Sequence, residues 1–238
     1  MTIPALSISA PDVTEYLNVE APSIDGWLSM PSQLLFVVLN YHQKQTGVRG
    51  NLVEIGCWEG KTLLLFAHLA GSGERSIGYD IEIRPGLITR SQAFRPADRI
   101  VLHEVDSKNL TSTEILKDGG PRIFHVDGGH MQADATRDLR LAFAVTNRRG
   151  VVVLDDFFAP TLPGVTAALF ESFERRWNGE FVPFALCGAK CWMVERSMVE
   201  TYKAACLSLM PIPPQVNPSE FQDFLGGRPL IYHFHGLW

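Results

Sequence analysis

Five short apolar runs, at 52–55, 76–81, 100–105, 122–126 and 151–154, alternate with stretches of helix length such as 62–69, 131–145 and 164–177. This rhythm constrains the chain more than any other feature. It is the pattern of strand, crossover helix and parallel strand, with helices on both faces of the sheet. Two further strand-like runs, 181–186 and 190–194, lie so close across Cys187-Gly188-Ala189 that no crossover helix fits between them. They are expected to form an antiparallel hairpin. The fold class read from this is α/β: a doubly wound, mostly parallel sheet of seven strands closing in a C-terminal antiparallel hairpin.

Ahead of the first strand, Pro31 stands at a first helical position after Ser29, and 33–42 keeps a helical apolar spacing until Gly47. Pro4, Pro11 and Pro22 break any period before that, so residues 1–30 read as an N-terminal arm or lid. Residues 31–196 form the main domain. In 197–238, a helix near 198–209 leads into Pro211, Pro213, Pro214 and Pro218 and then an aromatic end. That end is expected to dock on the domain, because exposed it would be a sticky patch.

With 46% hydrophobic and 20% charged residues among 238, the chain can bury a core without disulfides or a structural metal. Cys57, Cys187, Cys191 and Cys206 read as buried thiols, since a lone C-x3-C pair lacks the second pair a zinc site needs. A formal charge of -5 with scattered basic residues argues against nucleic-acid and anionic-membrane partners. No stretch approaches the roughly 18 apolar residues of a membrane span, and no secretory leader is legible, so a cytoplasmic location is expected. A homodimer stays open.

Ligands of open α/β sheets bind beyond the carboxyl ends of the strands. Here those ends read Glu54-Ile55-Gly56-Cys57-Trp58-Glu59-Gly60-Lys61-Thr62, Asp80, Asp106-Ser107, Asp127-Gly128-Gly129-His130 and Asp155-Asp156. Gly56 and Gly60 let the backbone turn tightly between strand and helix and let a ligand approach the helix N–H groups. The turn is not a dinucleotide fingerprint, because Trp58 replaces its second glycine, and it is one residue too short for a P-loop. Asp80 can accept hydrogen bonds from ribose hydroxyls or cap a helix. Asp106 with Ser107 can cap a helix or turn near 108–110. Together the three ends outline a nucleoside pocket.

These residues resemble class I S-adenosylmethionine-dependent methyltransferases, and within them the small-molecule O-methyltransferases related to macrocin and antibiotic-sugar methyltransferases and cephalosporin-hydroxylase-like proteins. The pieces that carry the resemblance are V-E-I-G-C-W-E-G-K-T at 53–62, G-Y-D at 78–80, V-D-S at 105–107, F-H-V-D-G-G-H at 124–130 and V-V-V-L-D-D-F at 151–157. It spans about 30–196 and implies a Rossmann-like fold with S-adenosylmethionine as cofactor. By that likeness Glu54, Gly56 and Gly60, with Cys57, Trp58 and Thr62 beside them, shape the methionine pocket. Asp80 would hold the ribose, Asp106 and Ser107 would line the adenine, and Asp127 would border the cofactor.

Asp127, Asp155 and Asp156 come from neighbouring strand ends, where like charges must shift a pKa or find a cation. Oxygen ligands suit Mg2+ or another hard divalent ion, and in the resembling sugar methyltransferases this trio binds Mg2+. Without an ion, Asp155 would cap the next segment and Asp156 would face solvent. Many relatives read D-G-D after strand four, the second Asp serving as base, whereas this chain has Gly129. His130 beside it can take a hydroxyl proton at neutral pH or merely orient the loop. His125 reads as a hydrogen-bonded core histidine, and Asp134 and Asp138 as ion-pair partners of Arg137. Trp58, Phe157 and Phe158 can wall the pocket or pack in the core.

The function expected is a metal-assisted O-methyltransferase acting on a hydroxylated small-molecule acceptor, a sugar moiety or a catechol-like diol, with His130 and Asp127 as catalytic groups. Three other readings stay open: a metal-independent N- or C-methyltransferase, a nucleoside-binding module without transfer activity, and a metal-dependent sugar-nucleotide transferase.

Overall fold

The structure, a computed structural model, describes residues 10–209, 218–220 and 223–232. The expectations for residues 1–9, for Pro211, Pro213 and Pro214, and for the aromatic end from His233 onward lie outside these residues. Helix α1 (Pro11–Glu15) continues through a wide turn, Tyr16–Glu20, towards α2 (Met30–Gln45). There the Ser29 side chain accepts from the Ser32 N–H and Pro31 sits in the first turn, as the sequence suggests. Strands β1 (Asn51–Ile55), β2 (Ser76–Asp80), β3 (Ile100–Glu104), β4 (Pro121–Val126) and β5 (Val151–Leu154) follow. They alternate with α3 (Lys61–Leu69), α4 (Pro85–Ala93), α5 (Ser112–Leu116), α6 (Gln132–Val145) and, after β5, α7 (Pro163–Glu174). The hairpin β6 (Phe181–Cys187) and β7 (Lys190–Glu195) leads to α8 (Val199–Leu209) and two short strands, β8 (Ser219–Glu220) and β9 (Leu230–Ile231).

The sheet order is β3-β2-β1-β4-β5-β7-β6-β9-β8. Strands β1 to β5 are mutually parallel, and β7 is antiparallel to both β5 and β6. The seven expected strands are present, but the described sheet has nine because the tail adds β9 parallel to β6 and β8 beyond it. These additions cover the edge that β6 would otherwise expose. Two-residue strands carry no periodic signal, which is why the sequence does not announce them.

Alternation along the strands feeds two cores. Leu52, Ile123, Val151, Val153, Trp192 and Val194 pack with α2, α3 and α8, whereas Val53, Ile55, Phe124, Val126, Val152, Leu154 and Met193 pack with α6 and α7. Covered on both faces, the inner strands read as continuous apolar runs. The N-terminal arm belongs to the first core: Val13, Tyr16, Leu17, Ala21, Ile24 and Leu28 are buried in it, and the Tyr16 hydroxyl donates to the Lys61 carbonyl. At about 1.5–3 kcal/mol for each large apolar side chain buried, these contacts make the segment part of the fold. All four cysteines are buried free thiols. Among the described residues no helix is long and apolar enough to cross a membrane.

Asp138 departs from expectation. Arg137 pairs with Asp134 at 3.4 Å, while Asp138 is fully buried behind Gly128 and burial pushes its carboxyl up to about 6. A folded pKa above the ordinary 3.8 means the folded chain holds a proton that the unfolded chain releases between those values. This stabilisation is complete below pH 4 and lost as pH rises through 6, by about 3 kcal/mol. Asp138→Asn, which cannot ionise, is expected to be more stable than wild type at pH 8 and to lose that advantage at pH 4, as urea unfolding at both values will read.

Candidate active site

The carboxyl ends of β1 to β5 open on one cavity of about 900 Å3, at the upper end of small-molecule sites. Its first half is built around the β1–α3 turn. Gly56 has φ +84°, and a Cβ there would lie 1.9 Å from the Asp127 carbonyl oxygen, so this turn runs against the β4 loop as only glycine allows. Asp80 ends β2 beside it and its Oδ2 accepts from the N–H groups of Cys57 (2.6 Å) and Trp58 (3.1 Å). The same carboxylate lines the cavity next to Asp106 and Ser107 at the end of β3. Asp106 accepts from Lys108 N–H at 3.0 Å and so caps the turn Ser107–Asn109.

The second half is a cluster of carboxylates around one lysine. Strand β7 runs against β5 and β6, so its first residue, Lys190, lies at the edge where β5 ends, and the register Leu154↔Cys191 sets it opposite Asp155. Its ammonium contacts the Asp155 Oδ2, with both side chains almost wholly buried. Burial opposes both charges, yet Lys190 holds Asp155 below the usual carboxylate range, while Asp155 and Asp127 hold Lys190 above the usual amine range. The pair is ionised. Behind it, His125 Nδ1 and Glu54 Oε1 are 2.9 Å apart, and His125 Nε2 is 3.7 Å from Asp155. Burial, then Lys190, lowers His125 to about 3, and burial raises Glu54, so these two share a hydrogen bond between neutral groups. Burial and the charge of Asp155 also raise Asp127 and Asp156.

In front of the cluster, Asp127, His130 and Asp156 bring one ligand atom each within 4.8 Å of one another, with His130 Nε2 3.2 Å from Asp156 Oδ2. The place a side chain at 129 would take is filled by Asp134, whose Oδ2 would be 3.0 Å from the added Cβ and which also lines the cavity. Backbone strain gathers here: Trp58, Asp156, Phe158 and Ala189 all have positive φ and all line the cavity. Trp27 (89% exposed), Trp58 (44%) and Phe158 (52%) give the opening an aromatic rim, and the Arg84 guanidinium lies 4.0 Å from the Trp58 ring centre.

Residues 53–157 match the family described as a methyltransferase domain. The match covers less than half of the chain. The solved structures most similar in fold include the O-methyltransferase from Bacillus cereus in complex with SAH, at 17% identity and a TM-score of 0.58 over 81% of this chain and 94% of that one. Another is CalS11, a TDP-rhamnose 3'-O-methyltransferase of calicheamicin biosynthesis, at 17% identity and a TM-score of 0.55 over 78% and 87%. MycE of the mycinamycin pathway, in complex with Mg and SAH, has 15% identity and a TM-score of 0.53 over 79% of this chain, which spans only 55% of MycE. At such identities the likeness is one of fold. No curated protein sequence matches this chain.

Within residues 53–157, Gly56, Trp58, Asp80, Asp106, Ser107, Asp127, His130, Asp155 and Asp156 all line the cavity. Glu54, Cys57 and Thr62 are buried behind its wall, and Gly60, with φ +88°, holds the first turn of α3 against Leu87. Asp155 stands apart from the expected metal trio, because its carboxylate is turned to Lys190, and His130 takes its place among the clustered ligand atoms. Sequence reasoning missed Lys190. The signal was available, since an antiparallel β7 must begin at the same edge where the parallel strands end.

Proposed function

We propose that this chain is an S-adenosylmethionine-dependent O-methyltransferase acting on a hydroxylated small molecule, with a divalent ion at Asp127, Asp156 and His130. The observation that carries the reading is the meeting, in one cavity, of a nucleoside-type half on Gly56, Asp80 and Asp106 with an oxygen-rich half on Asp127 and Asp156. S-adenosylmethionine supplies a methyl group on a sulfonium, and in-line displacement by the acceptor oxygen leaves the neutral thioether S-adenosylhomocysteine. On this reading Asp80 holds the ribose hydroxyls, while its contacts with the Cys57 and Trp58 amides keep the glycine turn in shape. Proximity and alignment do most of the work, since the sulfonium is already a good electrophile. Without an ion on it, His130, half-exposed beside Asp156, is free to take the proton of the acceptor hydroxyl; as an ion ligand it would instead help hold the ion that lowers the pKa of that hydroxyl.

Two carboxylates and an imidazole fit a hard or borderline divalent ion, Mg2+ or Mn2+, and a bound ion would lower the pKa of an acceptor hydroxyl. The aromatic rim of Trp27, Trp58 and Phe158 supports an acceptor with an apolar or ring-bearing body, a catechol-like diol before a bare sugar. A metal-independent transfer is the second reading, favoured by the positive charge that Lys190 already brings to the acidic cluster.

Thermal unfolding with S-adenosylhomocysteine tests the cofactor assignment. At about 100 times its Kd the ligand adds roughly 2.7 kcal/mol, a rise of about 5–10 °C for a chain of this size. A flat melting curve would remove the methyltransferase reading. Repeating turnover in EDTA separates the two versions, since the metal-assisted one requires loss of activity and recovery on adding Mg2+.

A further inference from the structure

A lysine at the centre of a carboxylate cluster is costly to bury, and this one is 2% exposed at a cavity meant for a ligand. Nothing in the transfer step described above uses it. Its position is fixed by backbone: Gly188 and Ala189 form the hairpin turn with positive φ, and the Phe157 N–H donates to the Ala189 carbonyl at 2.9 Å. That bond ties the start of β7 to the segment that follows Asp155 and Asp156. Asp155 and Lys190 therefore face one another by register, and the contact does not depend on a flexible side chain finding its partner.

We propose that Lys190 is the resident cation of this site: it withholds Asp155 from the ligand set and so sets how strongly the site takes a divalent ion. Three observations carry this. Asp155 is turned to the ammonium, whereas Asp127, His130 and Asp156 keep their ligand atoms together without it. Lys190 lines the same cavity as Asp127, so its charge bears on a ligand of the ion site as well as on its own partner. His125, the other nitrogen base against Asp155, lies farther off at 3.7 Å and has its Nδ1 against Glu54, so it does not take the place of the ammonium. The native cluster thus offers an ion two carboxylates and an imidazole beside a fixed positive charge; without Lys190 it would offer three carboxylates. The inference rests on the proposed function only in placing the ion at Asp127 and Asp156.

The test is Mn2+ binding to the full chain, read by the paramagnetic signal of the free ion and by calorimetry, in wild type, Lys190→Met and Asp155→Asn/Lys190→Met. Removing the ammonium alone is expected to tighten Mn2+ binding by about tenfold or more, because a buried repulsion is lost and a third carboxylate is released. The double variant removes both charges at nearly constant volume, which spares the fold an unpaired buried carboxylate. It is expected to bind Mn2+ within about threefold of wild type, since Asp155 is not a ligand in the native chain. If Lys190→Met does not fold, the double variant decides alone. A loss beyond about tenfold in the double variant would make Asp155 a native ligand and overturn the proposal. Equal affinity of wild type and Lys190→Met, or no binding in any form, would overturn it as well. S-adenosylhomocysteine titrated in parallel reads the nucleoside half separately: if it fails to bind while Mn2+ follows the expected order, the proposed function falls and the role of Lys190 stands.

Discussion

Asp127→Asn is expected to lower turnover of any acceptor the wild type methylates by about 100-fold or more, the range seen when a positioned acid–base or electrostatic group is removed. S-adenosylhomocysteine affinity should change only a few-fold. The contrast follows from where Asp127 sits. Its carboxylate belongs to both groups of clustered ligand atoms, with Glu54 and His125 behind and with His130 and Asp156 in front. Its backbone, not its side chain, meets the glycine turn to which the proposed function assigns the cofactor. Burial already disfavours its charge, so the neutral amide carries little folding penalty and the melting temperature should move little. His130→Gln gives the complementary result: a kcat loss of at least about tenfold if the imidazole takes the proton. An unchanged kcat with Asp127→Asn would remove the acidic half from the chemistry altogether.

Gly56→Ala is expected to damage fold and cofactor site together. One methyl group would lie 1.9 Å from the Asp127 carbonyl oxygen and 2.5 Å from its carbon, in a backbone conformation that non-glycine residues seldom adopt. Either the β1–α3 turn or the β4 loop must move, at a cost of at least about 3 kcal/mol, or roughly 6–12 °C in melting temperature. The S-adenosylhomocysteine shift should vanish with it. Gly73 has a similar φ of +75° with nothing within 4 Å, so Gly73→Ala serves as the control, losing only about 1 kcal/mol from conformation alone. Equal losses at the two positions would show that the close approach at Gly56 is not what matters.

What could be read in advance followed from how each element is buried. The inner strands are covered by helices on both sides, so their apolar runs stood out, and the short link at 187–189 left a hairpin as the sole connection. Helix α4 was not resolved as an element because it buries only Leu87 and so carries almost no apolar period. The arm misled for a related reason: three prolines interrupt its spacing, although its apolar residues enter the main core. The polar strand ends announced where the site lies. Their side-chain directions did not follow from the sequence, because alternation sends Glu54 inward to His125 and register turns Asp155 to Lys190. Asp138 looked like half of a surface pair by spacing, yet the Gly128 loop covers it.

The two halves of the cavity come from different parts of the chain. The nucleoside side is supplied by β1 to β3, before residue 110, whereas Leu186, Cys187, Ile231 and Tyr232 face it from the hairpin and the tail. The nucleoside side meets the β4 loop through the backbone of Gly56 and Asp127, where no side chain intervenes. On the proposed function, the cofactor side and part of the acceptor side thus come from separate stretches of the chain. On that reading, exchange of the hairpin and tail would alter the wall opposite the nucleoside side and leave β1 to β3 as they are.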